Sequence, residues 1–167
     1  LSPFKLIILD NCISSNKKLI NGSCLNDYSV LNYEKSNFAP GWNVFNSNMT
    51  LSKTQMAFQY SSAASLDSLP YSGLYSTYLG GGYSYLIDNN ASSPSQIKSD
   101  LNFLQTNNWV DMRSRALFVE FTLLNPNVNM FAYCTILFEL LPTGNILSSA
   151  EFNPIAVSSD ESALYIL

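Results

Sequence analysis

Residues 117–141 alternate apolar and other side chains at a period of two, break once at a turn, and resume. No other feature limits the fold as strongly. Successive strand residues point to opposite faces, and a helical period does not reproduce that stripe. Leu117, Val119, Phe121 and Leu123 define one face, and Phe118, Glu120 and Thr122 the other. Asn125-Pro126-Asn127 reads as a turn. A second strand over residues 129–141 puts Met130, Ala132, Cys134, Ile136, Phe138 and Leu140 on one face. Pro142-Thr143-Gly144-Asn145 turns the chain again, and residues 146–157 read as a third strand. Neighbouring strands joined this tightly form an antiparallel meander.

A helix is expected just upstream. Pro94 suits a first helical turn, and Ser93 or Ser95 can cap it. Ile97, Leu101 and Leu104 then fall on one stripe that packs against the sheet, and the helix ends near Asn107-Asn108. Residues 4–9 and 56–63 read as further strands. Residues 69–87 carry tyrosines at 71, 75, 78, 83 and 85, interrupted by Gly80-Gly81-Gly82. That triplet permits positive φ or close backbone approach; with no lysine and hydroxyl residue after it, it reads as a turn or bulge rather than a phosphate cradle. The expected fold class is α+β: an antiparallel meander backed by helices, with a disulfide-held irregular lobe over residues 10–55, all in one domain spanning residues 1–167.

Composition narrows the function. The chain has no histidine. That removes Ser-His-Asp and Cys-His nucleophile systems, histidine-ligated zinc and the usual neutral-pH proton shuttle. Only 12% of residues are charged, the net charge is -4, and the eight basic residues are scattered, so nucleic acid is not expected as a partner. No metal site and no cofactor are expected; no calcium-loop pattern occurs. Cys12 and Cys24 bracket a polar loop containing Gly22 and read as a small disulfide, which would stabilise by roughly 2–3 kcal/mol. Cys134 lies in an apolar strand and reads as a buried thiol. Asn21, Asn48 and Asn90 each begin an N-glycosylation triplet in a turn-like segment. No apolar stretch reaches the ~18–20 residues that span a bilayer. With no initiator Met or signal peptide, the sequence reads as an excised domain of a larger protein.

Charged residues concentrate in one place. Asp111, Arg113, Arg115 and Glu120 stand within ten residues, directly after the expected helix. As an acid/base pair, Asp111 and Glu120 would suit glycoside hydrolysis. Two intervening arginines would instead keep both carboxylates ionised, the wrong direction for a general acid. The four are therefore read as a structural ion-pair cluster at the start of the central strand. Glu139, alone in an apolar strand, needs a partner. An arginine or lysine is preferred over an aqueous cavity shared with Glu120. Tyr75, Tyr78, Tyr83 and Tyr85 are read as candidates for a subunit interface, in preference to a glycan-stacking face.

The order of these motifs resembles the extracytosolic polycystin domain, which is inserted between the first two transmembrane helices of TRP-like channel proteins. The resemblance runs through Cys12…Cys24, "FAPGW" (residues 38–42), Gly81-Gly82-Tyr83, and "WVDMRSRALFVEFTLLNPNVNMF" (residues 109–131) to "FELLPTG" (residues 138–144). It covers nearly the whole chain and is densest from Trp109 to Gly144. Asp88 and Pro142 sit later than in the family pattern.

The resemblance implies a sheet backed by helices and a disulfide-held, glycosylated lobe, with Cys12–Cys24 and Asn21 at family positions. It implies a homo- or hetero-tetramer with other polycystin-like subunits, above the pore of a cation channel. The parent would be a membrane glycoprotein facing the extracellular or luminal side, often ciliary, with an extracellular glycoprotein as a further partner. The implied function is assembly and gating modulation, not enzymatic activity. Alternative readings are a secreted adhesion or glycan-binding module, a hydrolase using Asp111 and Glu120, and a mucolipin-type luminal channel domain.

Overall fold

The protein is described by a computed structural model over residues 2–8, 28–46, 50–88, 92–157 and 164–166. In chain order its elements are β1 (Ser2–Ile8), β2 (Phe38–Ala39), β3 (Asn43–Val44), α1 (Lys53–Met56), β4 (Tyr60–Ser61) and α2 (Ala63–Leu66). They continue with β5 (Tyr71–Ser72), β6 (Thr77–Tyr78), β7 (Gly82–Ile87), α3 (Pro94–Thr106), β8 (Ser114–Asn125), β9 (Met130–Leu140), β10 (Ile146–Val157) and β11 (Leu164–Ile166). The architecture is α+β and dominated by one seven-stranded antiparallel sheet in the order β11-β10-β9-β8-β1-β7-β4.

The meander expected from the alternation is β8-β9-β10, paired in continuous register from Ala116↔Glu139 to Asn125↔Met130 and from Ile146↔Leu140 to Ala156↔Met130. β1 does not extend the meander. It inserts between β8 and β7, where Leu6 pairs with both Leu117 and Tyr83. This central position suits its consecutive apolar residues Leu6 and Ile7, which are buried on opposite faces of the sheet.

Each sheet face has its own core. On one face, Leu6, Tyr83 and Tyr85 pack with Leu104 and Trp109 from the helix side, and with Ala57 and Phe58. On the other, Ile7, Ala116, Phe118 and Leu137 pack with Tyr28 and Tyr78. α3 forms where its capping pattern places it: the Ser93 hydroxyl accepts from the Gln96 amide at 3.2 Å, and Pro94 occupies the first turn. Asn108 adopts φ 50° after the helix, so that the Trp109 amide can donate to the Leu104 carbonyl at 2.9 Å. The stripe expected on α3 is shifted. Asp100 and Leu104 are buried, whereas Leu101 is exposed.

Residues 56–63, expected as a strand, form only the two-residue β4 between the one-turn helices α1 and α2. Serine caps explain the difference. Ser52 makes a capping box with Gln55, and the Ser62 hydroxyl accepts from the Ser65 amide. The glycine triplet serves close approach: a Cβ on Gly80 would collide with the Ser68 carbonyl oxygen, and one on Gly81 with the Tyr60 hydroxyl. Cys12, Cys24, Asn21, Asn48 and Asn90 lie outside the described residues. The described part of the lobe is held by aromatic contacts. Trp42 meets Phe38, Phe58 and Tyr83 edge-on at centroid distances of 5.6, 5.0 and 4.9 Å.

Candidate functional site

The buried carboxylate of Glu139 is the most organised polar site among the described residues. Alternation on β9 turns it to the Phe118–Leu137 face, where it is 1% exposed. Its partners are backbone amides. Leu74 donates to Oε2 at 2.7 Å, Tyr75 to Oε1 and Oε2 at 3.0 and 3.1 Å, and Ser76 to Oε1 at 3.1 Å. The Tyr78 hydroxyl adds a fourth donor to Oε1 at 2.9 Å. The loop between β5 and β6 thus closes over one carboxylate, as an anion-binding nest does. Gly73 makes room: a Cβ there would stand 2.5 Å from Oε1 and 2.7 Å from Cδ. The expected arginine or lysine partner is therefore corrected. Charge-assisted amide bonds satisfy the carboxylate and fix the loop without a buried cation.

The clamp decides which tyrosines reach solvent. Leu74 and Tyr75, at the loop's turn, are 69% and 48% exposed. Tyr78, Tyr83 and Tyr85 are fully buried, so three of the four expected interface tyrosines belong to the core. Each hydroxyl has an acceptor: Glu139 for Tyr78, the Ser36 carbonyl for Tyr83 at 2.8 Å, and Asp100 for Tyr85. Burial first, and the neighbouring carboxylates next, hold the Tyr78 and Tyr85 hydroxyls above the ordinary range; Tyr83 is raised chiefly by burial.

The four charged residues after α3 divide. Asp111 and Arg113 form an ion pair, Nε to Oδ2 at 2.9 Å, and the Asp111 carboxylate also accepts the Arg113 amide at 2.9 Å. The Arg113 guanidinium lies 5.4 Å from the Trp42 ring centroid, and the Trp42 indole donates to the Asn108 carbonyl at 2.9 Å. Arg115 is buried and donates to the carbonyls of Met112 and Ser114 at 2.9 and 2.6 Å. Glu120 lies further along β8, opposite Thr135. Six residues of strand beyond Ser114 amount to about 20 Å, outside the ~5–9.5 Å that separates paired glycosidase carboxylates. The expected single cluster is corrected to a pair at the strand start, a separate arginine, and a distant glutamate.

Glu120 faces a cleft of about 540 Å³ that also presents Asp67, Tyr71, Tyr133 and Glu151. The Tyr71 hydroxyl donates to Glu151 at 3.1 Å, and burial and Glu120 push the Tyr133 hydroxyl up to about 12. Glu139 is absent from this lining, which removes the shared-cavity alternative. Among the described residues no group of three or more candidate ligands is placed to hold a metal ion.

The amide clamp escaped sequence reasoning because backbone donors carry no residue identity. Its only signals were a lone glutamate in an apolar strand and Gly73 between two tyrosines. The remaining motif chemistry is architectural: "FAPGW" and "WVDMR" meet at Trp42 and Arg113.

Aromatic, ion-pair and carboxylate–amide contacts staple the sheet, lobe and β5–β6 loop into a scaffold-type domain. The family model of the polycystin domain matches residues 8–158, and the chain belongs to that family. It is 32% identical to Polycystin-1-like protein 3 of Mus musculus over 122 residues, covering 73% of this chain and 5% of that protein. It is 31% identical to Polycystin-2 of Danio rerio over 132 residues, covering 79% of this chain and 13% of that protein. Polycystin-2 of Caenorhabditis elegans is 36% identical over 93 residues. The chain thus spans about a twentieth to an eighth of the length of these relatives.

Proposed function

We propose that this chain is the extracellular or luminal domain of a polycystin-type cation channel subunit, where it assembles subunits and biases gating. It is read as non-enzymatic. The observation that carries the assembly reading is the Glu139 clamp, which holds Leu74 and Tyr75 exposed on a fixed loop. Exposed aromatic and apolar groups that are already ordered lose little entropy on docking, which favours contact with a neighbouring subunit. Tyr75 is the residue kept from the expected interface tyrosines. Gating influence requires that this contact differ between open and closed states. The Asp111–Arg113 pair and the Trp42 staple would serve by keeping the lobe fixed against the sheet.

Several finer features complete the reading: a tetramer with like or related subunits, a ciliary membrane, an extracellular glycoprotein partner, glycans on Asn21, Asn48 and Asn90, and a Cys12–Cys24 disulfide. Reductant should raise protease cleavage within residues 10–55; unchanged cleavage would count against the disulfide. Assembly is tested with two differently tagged copies of the protein expressed together. Leu74→Asp with Tyr75→Asp should abolish their co-purification and leave the thermal unfolding midpoint within the range of ordinary surface substitutions. Undiminished co-purification would overturn the proposed contact.

A further inference from the structure

The far end of the β8–β9 hairpin is an exposed, uncharged apolar tip. No charged residue stands between Glu120 and Glu139. At the tip, Leu123, Leu124 and Val128 are 52%, 56% and 59% exposed, and a cleft there is lined by these three with Met130, Phe131 and Pro154. Leu123 and Leu124 are adjacent in a strand, so they face opposite sides of the sheet. The tip is therefore apolar on both faces. A docked protein covers one face of a sheet, whereas a lipid interface surrounds an inserted finger.

The topology also places this tip. β1 runs antiparallel to β8 with Phe4 opposite Val119, so its beginning lies toward the tip. Ile166 at the end of β11 pairs with Ile155, which pairs with Phe131, which pairs with Leu124. The start of β1 and the end of β11 thus share the tip's edge of the sheet, and chain continued from either would leave the domain beside the tip. The turn residues Asn125, Asn127 and Asn129 are polar but neutral. The Asn127 amide is satisfied locally by Asn125 Oδ1 at 3.1 Å. Neutral amides over apolar side chains suit the headgroup boundary.

We propose that the β8–β9 tip inserts into the interfacial layer of the lipid bilayer, as a neutral, charge-independent membrane contact. The inference rests on the reading that the domain stands on a membrane, and adds a lipid-facing site to it. The probe is a phosphatidylcholine vesicle containing a nickel-chelating lipid, which anchors the chain through a C-terminal hexahistidine tag beside the tip. Val128→Trp reports at the tip; Val44→Trp, on the exposed β3 near the opposite end of β8, is the control. After subtraction of the wild-type signal from Trp42 and Trp109, brominated lipid should quench the V128W emission to about half or less and leave V44W unchanged. Equal emission with and without bromine would overturn the inference. So would burial of V128W in lipid-free solution as chain concentration rises, which would assign the tip to a second copy. Unquenched V128W with intact co-purification of tagged copies defeats only this inference. Quenched V128W with Leu74 and Tyr75 dispensable for assembly defeats only the subunit-contact reading.

Discussion

The two ends of the β8–β9 hairpin are built from the same strands with the same alternation, yet they are used in opposite ways. Near Ala116 and Glu139 both faces are covered: Leu6, Leu104 and Trp109 cluster on the helix side, and Tyr28, Tyr78 and the β5–β6 loop lie on the other. The charges there are buried and bonded: the Glu139 carboxylate has five donor contacts, and Arg115 beside it donates to two backbone carbonyls. Near Asn125 and Met130 no described segment covers either face, and residues 121–138 carry no charge. A two-residue period gives side-chain direction. Burial is set by what other segments lay across each face.

This contrast can be broken by substitution. Phe118→Ala removes a ring packed edge-on to Tyr71 and Tyr78 at 5.5 and 5.9 Å, and should destabilise the domain by about 3–5 kcal/mol in denaturant unfolding. Glu139→Gln keeps the shape but loses the charge on its amide bonds and places an NH₂ against backbone donors. A cost of about 2–3 kcal/mol is expected, with the midpoint shifted and the denaturant slope retained.

Alkaline titration sharpens the same contrast. The hydroxyls of Tyr78, Tyr83 and Tyr85 are raised above their ordinary range, all three by burial first. In the unfolded chain they ionise near pH ~10, while the native chain keeps those protons, so above that pH the native state binds more protons. Stability should hold level up to about pH 10 and fall beyond it, and Tyr83→Phe should make the fall shallower. At the other end of the hairpin, Leu124→Ser should change stability by less than about 0.5 kcal/mol, because the side chain is already exposed. A cost comparable to Phe118→Ala would mean that the tip is packed in solution.

Much of the architecture was legible because it is local. Period-two patterning and the turns at Pro126 and Gly144 mark β8, β9 and β10, and Ser93-Pro94 marks the start of α3. What was hidden is what depends on distant segments. Tyr75 and Tyr78 look alike in sequence, but the Tyr78 side chain packs on Phe118 and donates to Glu139, whereas Tyr75 gives Glu139 its backbone amide and keeps its ring half exposed. The short capped helices around β4 overrode a strand-like run because serine side chains satisfied their terminal amides. Asp111 and Glu120 are close along the chain and far apart along an extended strand, which separates nearby charges faster than a helix does.

Amide hydrogen exchange at Leu74, Tyr75 and Ser76 tests most directly whether Glu139 fixes the loop that carries Leu74 and Tyr75. Their side chains include two of the more exposed apolar groups of the surface, so without the clamp these amides would meet solvent freely. Protected amides are expected in the wild-type protein, with exchange faster by about 100-fold in Glu139→Gln, as loss of roughly 2–3 kcal/mol of local stabilisation requires. Equal exchange in the two proteins, with α3 and β8 protected alike, would contradict it.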